Sequence, residues 1–341
     1  MKIRHIAGTA VATLLAATLF SENAGAKDFY AGRTVTWVVG AGAGGNYGLY
    51  AQLFAPYLEK HIPGNPTIVP QFNPKGGGRV AASFVSNAAP KDGTVIAMVQ
   101  QTIPVFQLLE PDDLKFDVRE WQWIGNLATV PGVIVAAAST GVKTAADLTE
   151  KQVIMGATGK SSETFMTPTA LNNLTGAKFK IVTGYRGAQP IFKALQSGEV
   201  SGFSFSWLSV KSSAADQLAA GKIVIPVQTG LVRDPDLPDV PTAIELGPTA
   251  EAKSALRLLA SSSKYGRAIW APPGTPAEQL AILRAAFDKA VADPGFRAEL
   301  DKRGLPLSTV DAAGLAELTN AVFSTDDKTV AATRAAVGMK N

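Results

Sequence analysis

Cysteine is absent from all 341 residues. That one absence excludes a disulfide framework, a thiolate metal site and a cysteine-linked lipid anchor. A small exported domain would normally need such staples, whereas this length suffices for two ordinary hydrophobic cores. The 46% of hydrophobic residues can fill them. Histidine is nearly absent too, with only His5 and His61, so imidazole chemistry has little to draw on. No HExxH, GxSxG or His/Asp metal spacing occurs, and neither a metal nor a cofactor is expected. An excess of one charge is also lacking. Lys and Arg number 32 against 28 Asp and Glu, with no basic block, which excludes a nucleic-acid footprint. Past residue 26 no apolar run approaches the ~20 residues that span a bilayer. Neither an internal repeat nor a low-complexity tract interrupts the chain.

What is present begins with a basic start at Lys2 and Arg4, an apolar run over residues 6–20 and the small-x-small site Ala24-Gly25-Ala26. This is the pattern of a secretory signal peptide cleaved before Lys27. The mature chain is therefore expected to be periplasmic, free and soluble. Loss of Lys2, Arg4 and Glu22 takes its formal charge from +4 to about +3.

From residue 34 short β-branched runs alternate with helical periodicity. Strands are expected over 34–39, 67–72 and 94–99, with helices over 47–61, 79–87 and from 103. Turn signals such as Pro90-Lys91-Asp92-Gly93 punctuate them. After 121–127 and 132–138 a second series brings strands at 153–157, 179–183, 200–205 and 223–228. A turn-rich stretch at 233–241 and helices over 276–293 and 312–336 complete the chain. The reading is an α/β fold of two domains, each a mostly parallel sheet flanked by helices. If the strands near 125 and 227 both cross between the units, residues 127–228 form a second domain inserted into a first made of 27–126 and 229–341. Such a double crossover makes a hinge around a cleft.

Several motifs point to chemistry at first sight. Gly40-Ala41-Gly42-Ala43-Gly44-Gly45 satisfies GxGxxG between a strand and a helix, the dinucleotide fingerprint. The acidic residue due at the end of the next strand is missing, since the sequence there reads Gln71-Phe72-Asn73-Pro74. What survives is physical: glycines admit a ligand close to the backbone, and N–H groups opening a helix attract an anion. Gly156-Ala157-Thr158-Gly159-Lys160-Ser161 resembles a phosphate loop, but Ile154 stands where its first glycine belongs. Thr158, Ser161 and Ser162 still offer donors to a carboxylate, or Ser162 simply caps a helix. His61 sits at a helix end, where it serves as a C-terminal cation. Ser261-Ser262-Ser263-Lys264 contains SxxK without its companion motifs and reads as a polar loop. Tyr185-Arg186-Gly187-Ala188 follows a strand directly, placing an arginine able to pair with a carboxylate. Ser204, Ser206 and Trp207 follow the next strand, with Trp207 equally suited to filling core.

Taken in order, further segments carry a resemblance: Tyr50-Ala51-Gln52-Leu53, His61-Ile62-Pro63-Gly64-Asn65-Pro66, Ala89-Pro90-Lys91-Asp92-Gly93-Thr94, Thr183-Gly184-Tyr185-Arg186-Gly187, Leu237-Pro238-Asp239-Val240-Pro241-Thr242 and Ala271-Pro272-Pro273-Gly274-Thr275-Pro276. Together with the glycine loop they resemble the TctC or Bug family of periplasmic receptors for tripartite tricarboxylate transporters. The resemblance implies a Venus-flytrap protein, not an enzyme, that closes on a small organic carboxylate and delivers it to membrane permease subunits. A monomer is expected. The family's first loop maps to Gly42, Ala43, Gly44, Gly45, Asn46, Tyr47 and Gly48, and its second to Tyr185, Arg186, Gly187 and Ala188. With Thr158, Ser161, Ser162, Ser206 and Trp207 these form the expected ligand site. The chain departs from the family pattern at Gly48, where an aspartate is usual. Aliphatic di- or tricarboxylates and aromatic carboxylates both remain open, as do a sensing role and a hydrolase or lyase using Ser261 or a buried carboxylate.

Overall fold

A computed structural model describes residues 29–339; the expected leader, residues 1–26, lies outside them. In β1 (Thr34–Val39) alternate residues Val35, Trp37 and Val39 are fully buried, as one face of a covered strand requires. The chain continues through α1 (Asn46–His61), β2 (Thr67–Phe72), α2 (Arg79–Asn87), β3 (Val95–Met98), α3 (Ile103–Leu109) and β4 (Gln122–Asn126). Next come β5 (Gly132–Ala137), β6 (Val153–Ala157), α4 (Glu163–Thr175), β7 (Phe179–Thr183), α5 (Ala188–Ser197) and β8 (Gly202–Ser206). They are followed by α6 (Trp207–Ser213), α7 (Ala215–Ala219) and β9 (Ile223–Gln228). The return comprises α8 (Ala243–Leu246), α9 (Ala250–Ser261), β10 (Ala268–Ala271), α10 (Ala277–Ala292), α11 (Pro294–Lys302), β11 (Val310–Asp311), α12 (Ala312–Phe323) and α13 (Asp327–Ala336).

These strands form two sheets, β11-β4-β10-β3-β1-β2 and β7-β6-β8-β5-β9. Each is mixed rather than mostly parallel in its pairings: β1 pairs parallel with β2 and β3, but β10 runs antiparallel to both β3 and β4. In the second sheet β6 is parallel to β7 and β8, while β5 opposes β8 and β9. The cause lies in the crossovers. β5 enters its sheet straight from β4, with no helix to turn the chain round, so it runs against its neighbours. β10 re-enters the first sheet between β3 and β4 in the same opposed sense.

The sequence did not announce β10, whose four residues are all buried and too short to show a period. The helix expected over 312–336 is two helices. Asp326 caps the second by accepting from the Thr329 amide, and that N-cap geometry cannot sit inside a continuous helix.

Three apolar clusters hold the layers. Trp37, Phe54, Phe287 and Phe296 fill one face of the first sheet. Phe192, Phe203 and Trp207 fill the outer face of the second. The third cluster runs from Trp121, Trp123 and Trp270 across to Ile134, Met155 and Met166, so it joins both sheets. Within it Trp121 stacks on Trp270 with ring centroids 3.8 Å apart. The segment after β9 stays beside the second sheet: Gln228 bridges to Thr242, and Asp236 accepts from the Trp207 indole at 3.1 Å. Helix α13 packs on α3, α4 and α9, and Asn173 of α4 donates to the Ala336 carbonyl at 2.9 Å.

Candidate functional site

At the C-terminal end of β1 the backbone passes so close to its neighbours that a Cβ on Gly40 would lie 3.1 Å from the Gly78 Cα. The chain then loops through residues 41–45 into α1, whose N-cap, Gly45, contributes no side-chain bond. The first-turn amides of this 16-residue helix thus keep their donor capacity, and the helix dipole adds partial positive charge there. Opposite lie three strand-to-helix junctions of the second sheet, each at the C-terminal end of a strand: β6 into α4, β7 into α5 and, with no intervening residue, β8 into α6. Ligands of open α/β sheets bind at such ends.

Between these loops lies a cavity of about 240 Å³. Of the expected residues, Gly42, Gly44, Gly45, Asn46, Tyr47, Ser162, Arg186, Gly187, Ala188 and Ser206 line it. Contacts across the sheets close its sides. Asn46 donates to the Ser209 hydroxyl at 3.2 Å, and Gln189 donates to the Gly44 carbonyl at 3.3 Å. Behind it the Thr102 hydroxyl donates to the Ser161 carbonyl at 2.5 Å.

Ala43, Thr158, Ser161, Tyr185 and Trp207 lie outside this cavity. The Ala43 carbonyl accepts from Gln52 at 3.2 Å, on the helix side of the loop. Thr158 lines a wider neighbouring groove of about 860 Å³ that also touches Arg186. Ser161 is fully buried. The Tyr185 hydroxyl donates to Glu199, and that bond raises its pKa to about 12. Trp207 is core, its indole held by Asp236. His61 ends α1 beside Asp293, 3.4 Å away, and does not line the cavity. Ser261 bonds back to the Leu258 carbonyl as a helix-end hydroxyl.

Gly48 has a structural reason. A Cβ there would lie 2.3 Å from the Ala43 carbonyl oxygen, well inside contact distance, so this loop cannot carry the aspartate usual in the family.

Sequence reasoning missed the cavity's floor. Gln101 follows β3 and donates from Nε2 to the Val130 carbonyl at 3.2 Å, while its backbone N–H donates to the Tyr47 hydroxyl at 3.0 Å. Glu163, the first residue of α4, accepts from the Thr229 hydroxyl at 2.9 Å. Its carboxyl lies deep between the sheets, with its partly exposed surface on the cavity it lines. That burial raises its pKa to about 7, against the opposing pull of the Thr229 bond and the Arg267 charge. Arg267 stands just before β10 and is 2% exposed. Its guanidinium lies over the Tyr47 ring, 3.9 Å from the centroid. The loop-after-strand rule that found the other residues would have led to Gln101, and Glu163 adjoins the Ser161-Ser162 pair already singled out. Nothing in the sequence signalled Arg267, because the strand it introduces was itself invisible.

The profile of the tripartite tricarboxylate transporter family receptors matches residues 57–330. The chain belongs to that family. A UPF0065 protein of Agrobacterium vitis is 28% identical over 300 residues, covering 86% of this chain and 82% of its own. A UPF0065 protein of Bordetella bronchiseptica is 25% identical over 325 residues, covering 93% of this chain and 90% of its own. Among solved structures, the periplasmic binding protein BugD superposes with a TM-score of 0.70 at 20% identity, over 91% of this chain and 99% of its own. MatC of Rhodopseudomonas palustris, solved with bound malate, gives a TM-score of 0.67 at 23% identity, over 87% of this chain and 99% of its own. The two-sheet architecture of this receptor is therefore that of the periplasmic binding proteins.

Proposed function

We infer that this receptor is a periplasmic solute-binding protein, not an enzyme, that captures a small organic carboxylate between its two sheets and hands it to the permease subunits of a tripartite transporter. The observation that carries this reading is the cavity itself. It is walled on one side by the uncapped amides of α1 and on the other by Arg186 and the opening of α5, so both walls favour negative charge. The malate of MatC, and the adipate of a second R. palustris relative, belong to the same chemical class. No cysteine and no cavity-lining histidine is available as a nucleophile or base, which disfavours a hydrolase.

Capture follows from the contacts across the cleft. A ligand touching both lobes binds the closed arrangement better and shifts the population toward it. We assign one lobe to residues 29–126 with 247–339 and the other to 127–246, moving the boundary expected at 228 because Gln228 and Asp236 tie the segment to Leu246 to the second lobe. A thermal-shift screen over aliphatic and aromatic organic acids, followed by solution scattering with the best hit, tests the reading. Stabilisation and compaction by a carboxylate, with the ligand recovered unchanged, are expected. A screen in which no carboxylate raises the melting temperature would overturn it.

A further inference from the structure

Two cations line the cavity, and they differ in kind. Arg186 is exposed at the rim and shared with the open groove, where solvent weakens a charge–charge contact. Arg267 is buried at the floor. Among the described residues no carboxylate lies within ion-pairing distance of it. Glu163 is near enough to feel its charge but is bonded to Thr229 and, at 3.5 Å, to Gln101. A guanidinium carries five N–H donors. Here Nη1 donates to the Gly266 carbonyl at 3.0 Å, while Nε is buried without any partner. Burying an unpaired charge is costly unless something compensates it. The Tyr47 and Tyr50 rings, 3.9 and 5.8 Å from Cζ, supply part of that and fix the plane of the group. A planar, rigidly held guanidinium with spare donors, on the wall of a small enclosed cavity, is the arrangement that recognises a carboxylate.

We propose that Arg267, rather than the rim Arg186, is the charge anchor of the cleft, taking one carboxylate end of the ligand on its free guanidinium edge while Tyr47 holds it in plane. The inference rests on the carboxylate reading above and deepens it by naming the residue that discriminates charge. Arg186 then contributes at the mouth. The neutral or anionic state of Glu163 beside the same guanidinium sets how much positive charge the ligand meets.

Calorimetric titration with succinate, adipate and benzoate, each alongside its neutral amide, separates the possibilities in wild-type protein, Arg267→Lys, Arg267→Gln and Arg186→Ala. The expected result is that Arg267→Gln weakens the bound acid at least tenfold, equivalent to about 1.4 kcal/mol, and collapses the preference for acid over amide. Arg267→Lys should restore part of that preference, and Arg186→Ala should weaken the acid less than Arg267→Gln does, because solvent screens a rim charge. A purely structural role would weaken acid and amide in parallel and leave the preference intact. The ¹⁵Nε–¹H resonance of Arg267, assigned by its loss in the Lys variant, should shift on adding the bound acid to wild-type protein. An unchanged resonance, or an acid preference retained within threefold in a folded Gln variant, overturns the anchor alone. Failure of wild-type protein to bind any of the three acids overturns the carboxylate reading and the anchor with it.

Discussion

Replacing Glu163 by Gln should make this protein more stable above neutral pH while leaving it little changed in mild acid. In the fold the carboxyl holds its proton up to about pH 7, where an unfolded chain releases it near 4.5, because burial penalises the charged form more than Thr229 and Arg267 favour it. The folded state therefore binds more protons than the unfolded state between those values, and its stability falls as pH rises through that window. At about 1.4 kcal/mol per pH unit the gap corresponds to about 3 kcal/mol, an upper figure because part of the group opens on the cavity. Glutamine keeps an acceptor for the Thr229 hydroxyl without the charge. Urea unfolding of both proteins from pH 4.5 to 8.5 reads the effect: the variant's stability relative to wild type should climb by up to about 3 kcal/mol across the window and level off above pH 7. A difference flat to within about 0.5 kcal/mol from pH 5 to 8 would mean that Glu163 is solvated like a surface carboxylate, and the reasoning would fail.

The same group should couple ligand capture to protons. Ionised Glu163 repels an incoming carboxylate, so affinity should decline by up to about tenfold per pH unit above 7, with proton uptake visible as buffer-dependent binding heats, and Glu163→Gln should remove both. Gly48→Asp, which would restore the residue usual in the family, should instead cost about 1–3 kcal/mol of stability and weaken binding, since its Cβ would meet the Ala43 carbonyl at 2.3 Å; tighter binding by this variant would contradict the packing argument. Gly132→Ala would place a methyl 1.6 Å from the Glu163 carboxyl and 2.3 Å from the Thr229 hydroxyl. Thermal melts should show the variant destabilised at all pH values, whereas an unchanged melting temperature would show that α4 moves aside freely.

The sequence by itself determined every strand of the two sheets except β10 and β11 to within about two residues, because β-branched runs of four to six residues bounded by Gly and Pro are local signals. It also argued against a nucleotide fingerprint in the glycine loop, since the carboxylate due after β2 is missing. Ser162, Arg186 and Ser206 were legible because each stands at or just past the end of a strand of an α/β unit, and the rule that ligands sit there needs no coordinates; Asn46 and Tyr47 came from the resemblance of the glycine loop to the family's first loop. Side-chain direction was not legible. Tyr185 and Trp207 stand at the right strand ends but turn into bonds with Glu199 and Asp236, and only the packing of α5 and the 229–241 segment fixes that. The tertiary structure alone decided the floor of the cavity. Arg267 and Glu163 are more than a hundred residues apart in the chain, and β10, the strand that carries the arginine into place, is four buried residues long. A charge buried by chain segments that distant leaves no local pattern, so its role emerges only when the two sheets close on it.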